Sequence, residues 1–134
     1  MQRNPLLAAG ILVLLASLGP LSVSAQGVQE INAGATLFAS RCVACHSLDA
    51  DRVGPMLRGV VGRKVASVAG YAYSDALQRA GGRWDVQRLQ KWLADPQSVA
   101  SGARMPFSLP SASDRTAVIQ YLASTRVASG LAKP

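Results

Sequence analysis

The sequence has one histidine and two cysteines in 134 residues, so side chains that hold soft metals are in short supply. A structural zinc site normally takes four cysteine or histidine ligands, and this chain offers three in all. Aromatic residues make up only 5%, and seven acidic residues face fourteen basic ones, a formal charge of +7. Such a surplus favours solubility and steering toward an acidic partner. It does not point to nucleic acid, because the basic residues stand singly apart from Arg63-Lys64 and no binding module accompanies them. No long hydrophobic run is present either. The longest, Leu6 to Leu18, has thirteen residues, short of the roughly 20 that a membrane-spanning helix needs. Internal repeats, low-complexity tracts and a second-domain boundary are also missing.

The short apolar run fits a secretory leader. Arg3 supplies its positive start, Gly19 and Pro20 break it, and Val23-Ser24-Ala25 matches a small-residue cleavage site. Cleavage after Ala25 leaves one domain over residues 26–134, still basic, with no stable insertion in a membrane. No twin arginine precedes the run, which implies export as an unfolded chain and addition of any cofactor outside the cytoplasm. A bacterial periplasm is the expected compartment.

Beyond the leader, apolar spacing is helical wherever it is regular, and no convincing strand is visible. The spacing predicts a helix from about Ala33 to Cys42, with Gly34, Leu37, Phe38 and Arg41 on one face. Glycine costs about 1 kcal/mol relative to alanine inside a helix, so Gly34 signals a neighbouring element in close approach. Residues 47–73 contain four glycines and no periodicity, a loop too long to be ordered by itself. A short helix is expected between Ser74 as N-cap and Gly81-Gly82. A third is expected from Asp85 as N-cap to just before Pro96, and a last from Ser111 or Ser113, with Val118, Tyr121, Leu122 and Thr125 on one face and a short tail from Val127. The fold class is therefore all-α, with three to four helices and long loops. So thin a core calls for a large apolar ligand at its centre.

Cys42-Val43-Ala44-Cys45-His46 identifies that ligand. A disulfide closing so short a loop would stabilise little, and a thioredoxin-like redox pair needs a βαβ setting that is absent. The Cys-x-x-Cys-His spacing is that of covalent haem attachment. Two thiols three residues apart at a helix end can each add to one haem vinyl group, and the adjacent histidine then points its ring at the iron. One haem c, held through Cys42 and Cys45 with His46 as an iron ligand, is the expected cofactor. No second histidine exists for the other face of the iron, and Met/His is the ligation of c-type electron carriers. Excluding Met1, the candidates are Met56 and Met105. Met56 follows His46 by ten residues, inside a loop that leaves from the histidine side. Met105 follows it by 59, enough chain to wrap the haem edge and return, so Met105 is the expected ligand and Met56 is expected to pack.

With these motifs in view, the chain resembles the class I cytochromes c, the mitochondrial-like branch with its bacterial periplasmic relatives. The likeness runs over roughly residues 33 to 126: Gly34 and Phe38, the Cys42-to-His46 motif, Gly54-Pro55-Met56-Leu57, Gly59, Gly62-Arg63-Lys64, Gly70 to Ala76, Trp84, Leu93, Pro96, Gly102, Arg104-Met105-Pro106-Phe107 and Tyr121-Leu122. The resemblance implies that the Pro55 carbonyl accepts from the His46 ring, which orients the ligand. It implies that Arg63, Tyr73 and Trp84 partner a buried haem propionate, that Phe107 lies beside the exposed haem edge, and that Gly34 and Phe38 pack against Tyr121 where the first and last helices cross. Leu77, Trp92 and Ala103 stand where asparagine, tyrosine and threonine are common, which removes small polar groups from the Met105 side. Gln97, Ser98 and Arg104 replace frequent lysines of the recognition face, so docking is expected to be electrostatic but weak.

The function implied is outer-sphere transfer of one electron between redox proteins, with no substrate chemically transformed. Donor and acceptor would be of the kind of a quinol-cytochrome c reductase, a terminal oxidase or a periplasmic dehydrogenase in a respiratory chain, met by a monomer in transient complexes. The alternatives are a dedicated haem subunit of a periplasmic dehydrogenase, a haem gas sensor, or a peroxidase with a labile Met105.

Overall fold

The computed structural model of the protein describes residues 25–131, with side chains through Arg126. The expected leader, apart from Ala25, and the side chains of the expected tail from Val127 lie outside the described residues. Five helices follow one another: α1 (Ala25–Arg41), α2 (Asp75–Ala80), α3 (Val86–Ala94), α4 (Pro96–Val99) and α5 (Ala112–Leu131). Among the described residues the only β pairing is an isolated antiparallel bridge between Lys64 and Arg83. None of the described helices is long and apolar enough to cross a membrane.

The local signals act as their chemistry requires. Ser74 Oγ accepts from the Leu77 N–H, and Asp85 Oδ1 accepts from the Arg88 N–H, each satisfying a donor that a helix start leaves unpaired. Ser111 Oγ does the same for Asp114 N–H at the start of α5. Two boundaries and one extra turn differ from expectation. α1 begins at Ala25 rather than Ala33, because its first two turns are almost wholly exposed and carry no apolar stripe to read. The backbone of α5 stays helical through Leu131, past the expected end at Val127. α3 ends just before Pro96 as expected, and Pro96 also occupies the first position of α4, an extra turn outside the expected helices, where its missing N–H costs nothing. Asp95 caps that turn through its side chain and closes α3 through its own N–H, which donates to Lys91 O at 2.9 Å.

α1 and α5 form the frame. A Cβ on Gly34 would stand 2.6 Å from the Ala117 carbonyl carbon and 2.8 Å from Tyr121 Cβ, so the two helices touch backbone to backbone at this glycine. One turn on, the Phe38 and Tyr121 rings meet at 5.5 Å. Gly34 and Phe38 are the buried residues of α1, and Phe38 belongs to one core with Val118 and Leu122 of α5 and with Leu77, Trp84, Leu89, Trp92 and Leu93.

Residues 47–73 contain no helix. Their backbone is held by turns, by Leu57 N–H to Ser47 O and Arg58 N–H to Leu48 O, and by exchange with residues 82–84, where Gly62 N–H donates to Trp84 O and Trp84 N–H to Arg63 O. Arginine supplies the rest. Arg63 donates to Met56 O at 2.8 Å and Arg58 O at 3.3 Å, Arg52 to Val43 O at 2.6 Å, and Arg83 to Gly62 O at 2.9 Å. Seven arginines of the described chain donate to main-chain carbonyls, these three together with Arg58, Arg88, Arg104 and Arg115. The basic surplus is thus spent partly on ordering irregular backbone, a use that a count of charges does not reveal.

Candidate functional site

The end of α1 runs directly into the Cys-x-x-Cys-His segment. Cys42 N–H still donates to Phe38 O at 2.9 Å, and then Cys45 and His46 N–H both donate back to Cys42 O, at 3.1 and 2.8 Å. This extra turn brings the two thiols and the imidazole to the wall of one cavity. The cysteines are not joined to each other. Burial pushes the Cys42 thiol above its ordinary pKa.

His46 is fixed on two sides. Its Nδ1 lies 2.8 Å from the Pro55 carbonyl, which can only accept, so Nδ1 carries the proton and Nε2 keeps its lone pair. Burial lowers the pKa of the ring, and the Pro55 bond only partly opposes this, so the imidazole is neutral and ready to donate to a metal. The second constraint is Gly54. A Cβ there would sit 2.6 Å from His46 Nδ1 and 2.7 Å from Nε2, so the ring lies against bare backbone. Gly54 N–H in turn donates to Cys45 O at 2.7 Å, closing the loop back onto the motif.

The cavity has a volume of about 620 Å³ and is walled mainly by apolar side chains, a size and character suited to a large flat ligand. Besides Cys42, Cys45 and His46, its wall includes Pro55, Arg63, Tyr73, Trp84, Met105 and Phe107. All nine site residues expected from sequence therefore meet at one cavity. Met105 is half-buried on this wall, while Met56 is not part of it. Leu77, Trp92 and Ala103 all contribute apolar surface to the wall.

The polar groups are few and purposeful. Arg63 is half-buried behind the 56–58 backbone. Tyr73 accepts from Val68 N–H at 3.3 Å, and burial raises its pKa, so its hydroxyl remains a proton donor. Trp84, 7% exposed, meets the Trp92 ring edge-on at 5.1 Å, and its indole N–H has no acceptor among the described residues. A haem fits this donor set: two thiols, one neutral imidazole with a free Nε2, one thioether, an apolar wall, and three hydrogen-bond donors for an acidic edge.

Two contributors went unread in the sequence. Gly54 was visible only as part of a motif, although a glycine next to the residue that orients a ligand is a hint of close approach. Tyr71 joins the wall beside Tyr73, with ring centroids 4.7 Å apart, and donates its hydroxyl to Val53 O at 2.6 Å. Its contact is with a residue 18 positions away, which no local pattern encodes.

Comparison with known proteins leads to the same place. The family model described as cytochrome c matches residues 31–126. The chain is 40% identical over 97 residues to cytochrome c of Gibberella zeae, covering 69% of this chain and 92% of that protein. It is 46% identical over 86 residues to cytochrome c2 iso-2 of Magnetospirillum fulvum, covering 62% and 90%. Among solved structures, cytochrome cH from Methylobacterium extorquens superposes with a TM-score of 0.67 at 41% identity, covering 70% of this chain and 97% of that one. With one Cys-x-x-Cys-His motif at the head of one apolar cavity, the chain belongs to the cytochrome c family, as a one-haem electron carrier whose haem c is attached through its cysteine pair.

Proposed function

We propose that this protein is an exported, soluble carrier that moves single electrons between redox proteins in a bacterial periplasm, with its iron held by His46 and Met105. Haem c supplies a reversible one-electron couple, and the chain's residues decide how that couple is held and screened. Cys42 and Cys45 tether the group by thioethers, so it is not lost. His46, locked by Pro55 and Gly54, provides one ligand in a set orientation. Met105 provides the other from the loop between α4 and α5, and two protein ligands leave no open position for peroxide or a gas. Arg63, Tyr73 and Trp84 would donate to the haem propionates, and Phe107 would stand beside the edge through which electrons enter and leave.

The observation that carries this reading is the membership of His46 and Met105, and not Met56, in the wall of one apolar cavity. Export is supported by Arg3 and the apolar run to Leu18. Docking draws on Arg41 and Arg104, both exposed at the cavity wall, and its rate with an acidic partner falls as salt rises. The deciding experiment is the absorption spectrum of the oxidised holoprotein beside that of Met105→Ala. The weak far-red band of a methionine sulfur on ferric iron is expected in the native protein and lost in the variant. Its absence from the native protein would overturn Met105 ligation and bring the sensor and peroxidase readings forward.

A further inference from the structure

Met105 sits in a loop with no secondary structure of its own, between α4 and α5, so something outside that loop must keep the sulfur in place. The structure shows what does. Gln97, in the single turn α4, uses both ends of its amide on the loop: its Nε2 donates to Ala103 O at 2.9 Å, and its Oε1 accepts from Gly102 N–H at 3.0 Å. Gly102 has φ +92, a conformation that L side chains rarely adopt, so the turn that Gln97 grips is itself specified by sequence. The grip is anchored in turn. Gln97 N–H donates to Asp95 Oδ1 at 3.0 Å, and Asp95 closes α3, whose Leu89, Trp92 and Leu93 are buried in the core. On the other side of Met105's neighbour, Arg104 donates to Ala72 O, tying the loop to the end of the 47–73 segment.

Resting on the reading that Met105 is an iron ligand, we infer that Gln97 is a positioning residue which holds the 102–105 loop closed and thereby sets how rarely Met105 leaves the iron. The amide is suited to this task because it is neutral and bifunctional. A hydroxyl is too short to reach both partners, and a carboxylate would set a negative charge against the Ala103 carbonyl. Gln97 itself is exposed, so its removal opens no cavity and leaves the core intact. The loop, freed of two neutral hydrogen bonds, opens more often. Exclusion of small ligands, which separates a carrier from a sensor, therefore depends on a side chain that does not line the cavity.

The test is the rate at which imidazole binds the oxidised holoprotein, since an outside ligand enters only when the methionine has left. Gln97→Met, close in size but without the amide, is expected to bind imidazole roughly tenfold faster, the scale that two neutral hydrogen bonds can carry. Gln97→Glu is expected to be faster than the native protein as well, and Ser98→Ala, whose hydroxyl bonds only to Asp95 O, is expected to match it. Amide exchange of Gly102 gives a second readout, with protection expected in the native protein and reduced in Gln97→Met. Unchanged imidazole rates and unchanged Gly102 exchange in Gln97→Met, with the far-red methionine band present in the native protein, would overturn the clamp and leave Met105 ligation standing. Absence of that band from the native protein would remove the ligand itself, and the clamp's role with it.

Discussion

In α1 and α5 the backbone satisfies its own hydrogen bonds, and the two helices need only a glycine to approach and an apolar stripe to bury. In residues 47–73 almost none of that holds. The segment has no helix, its turns depend on glycines with positive φ at positions 59, 62 and 70, and several of its carbonyls are taken up by arginines, Arg63 from within the segment and Arg83 and Arg104 from outside it. The first region is rigid because it is regular. The second is ordered by partners, and it is the second that carries Pro55, Arg63 and Tyr73 to the cavity wall. A fold that must surround a large flat group uses irregular chain for most of that wall, and guanidinium groups, with several donors in a fixed fork, suit the task of satisfying scattered carbonyls.

The largest effect is expected at the frame. Gly34→Ala places a methyl group against the Ala117 carbonyl and Tyr121 Cβ, where backbone cannot yield without moving a helix. A loss of about 3 kcal/mol of stability is expected, measured by urea unfolding of the holoprotein. Little change would mean that the helices can slide apart and that the frame is not rigid at this crossing.

A smaller loss is expected in the loop. Arg63→Met keeps much of the side chain's bulk but leaves Met56 O and Arg58 O without their charged donor, a change of about 2 kcal/mol by the usual worth of hydrogen bonds to charged groups. Arg63→Lys should restore only part, because a single ammonium does not reproduce the fork. An unaffected Arg63→Met protein would show that the bound haem, and not arginine, orders this segment.

The smallest effect belongs to the surface pair of Arg58 and Asp49, joined through both guanidinium and carboxylate forks, with Nη2 to Oδ2 at 2.8 Å. The Arg58 hydrogen bond holds the Asp49 carboxyl below its ordinary pKa. What the pair adds is therefore present above the unfolded value, about 4, and disappears as pH falls through the lower folded value. Asp49→Asn should differ only slightly from the native protein at neutral pH, as exposed pairs do. The two unfolding midpoints should converge as the solution is acidified, and a gap that instead widened in acid would contradict this account of the pair.

Legibility in the sequence followed the range of the interaction. Ser74 and Asp85 announced α2 and α3 because a cap bonds three residues along its own chain. Cys42, Cys45 and His46 were readable together because their chemistry is set by spacing within one turn. Gly34 was read as a close approach from its cost alone, but only the family resemblance named Tyr121 as the neighbour. The extra turn α4 escaped notice because Pro96, which does stand just past the end of α3, also suits the first residue of a new helix, and Asp95 serves both at once. Gly54 and Gln97 could not be read for what they touch, since an imidazole on bare backbone and an amide bridging two main-chain groups leave no periodic trace.

By itself, then, the sequence determined the attachment motif, the all-helical class, the capped starts of α2, α3 and α5, and the shortage of core that calls for a prosthetic group, all of which rest on residues near one another in the chain. Only the tertiary structure decided that Met105 and not Met56 lines the cavity, that arginine charge is spent on loop carbonyls, and that Gln97 grips the loop carrying Met105. Each of these depends on where segments far apart in sequence come to rest, and that is settled by packing around the cavity rather than by any local preference of the chain.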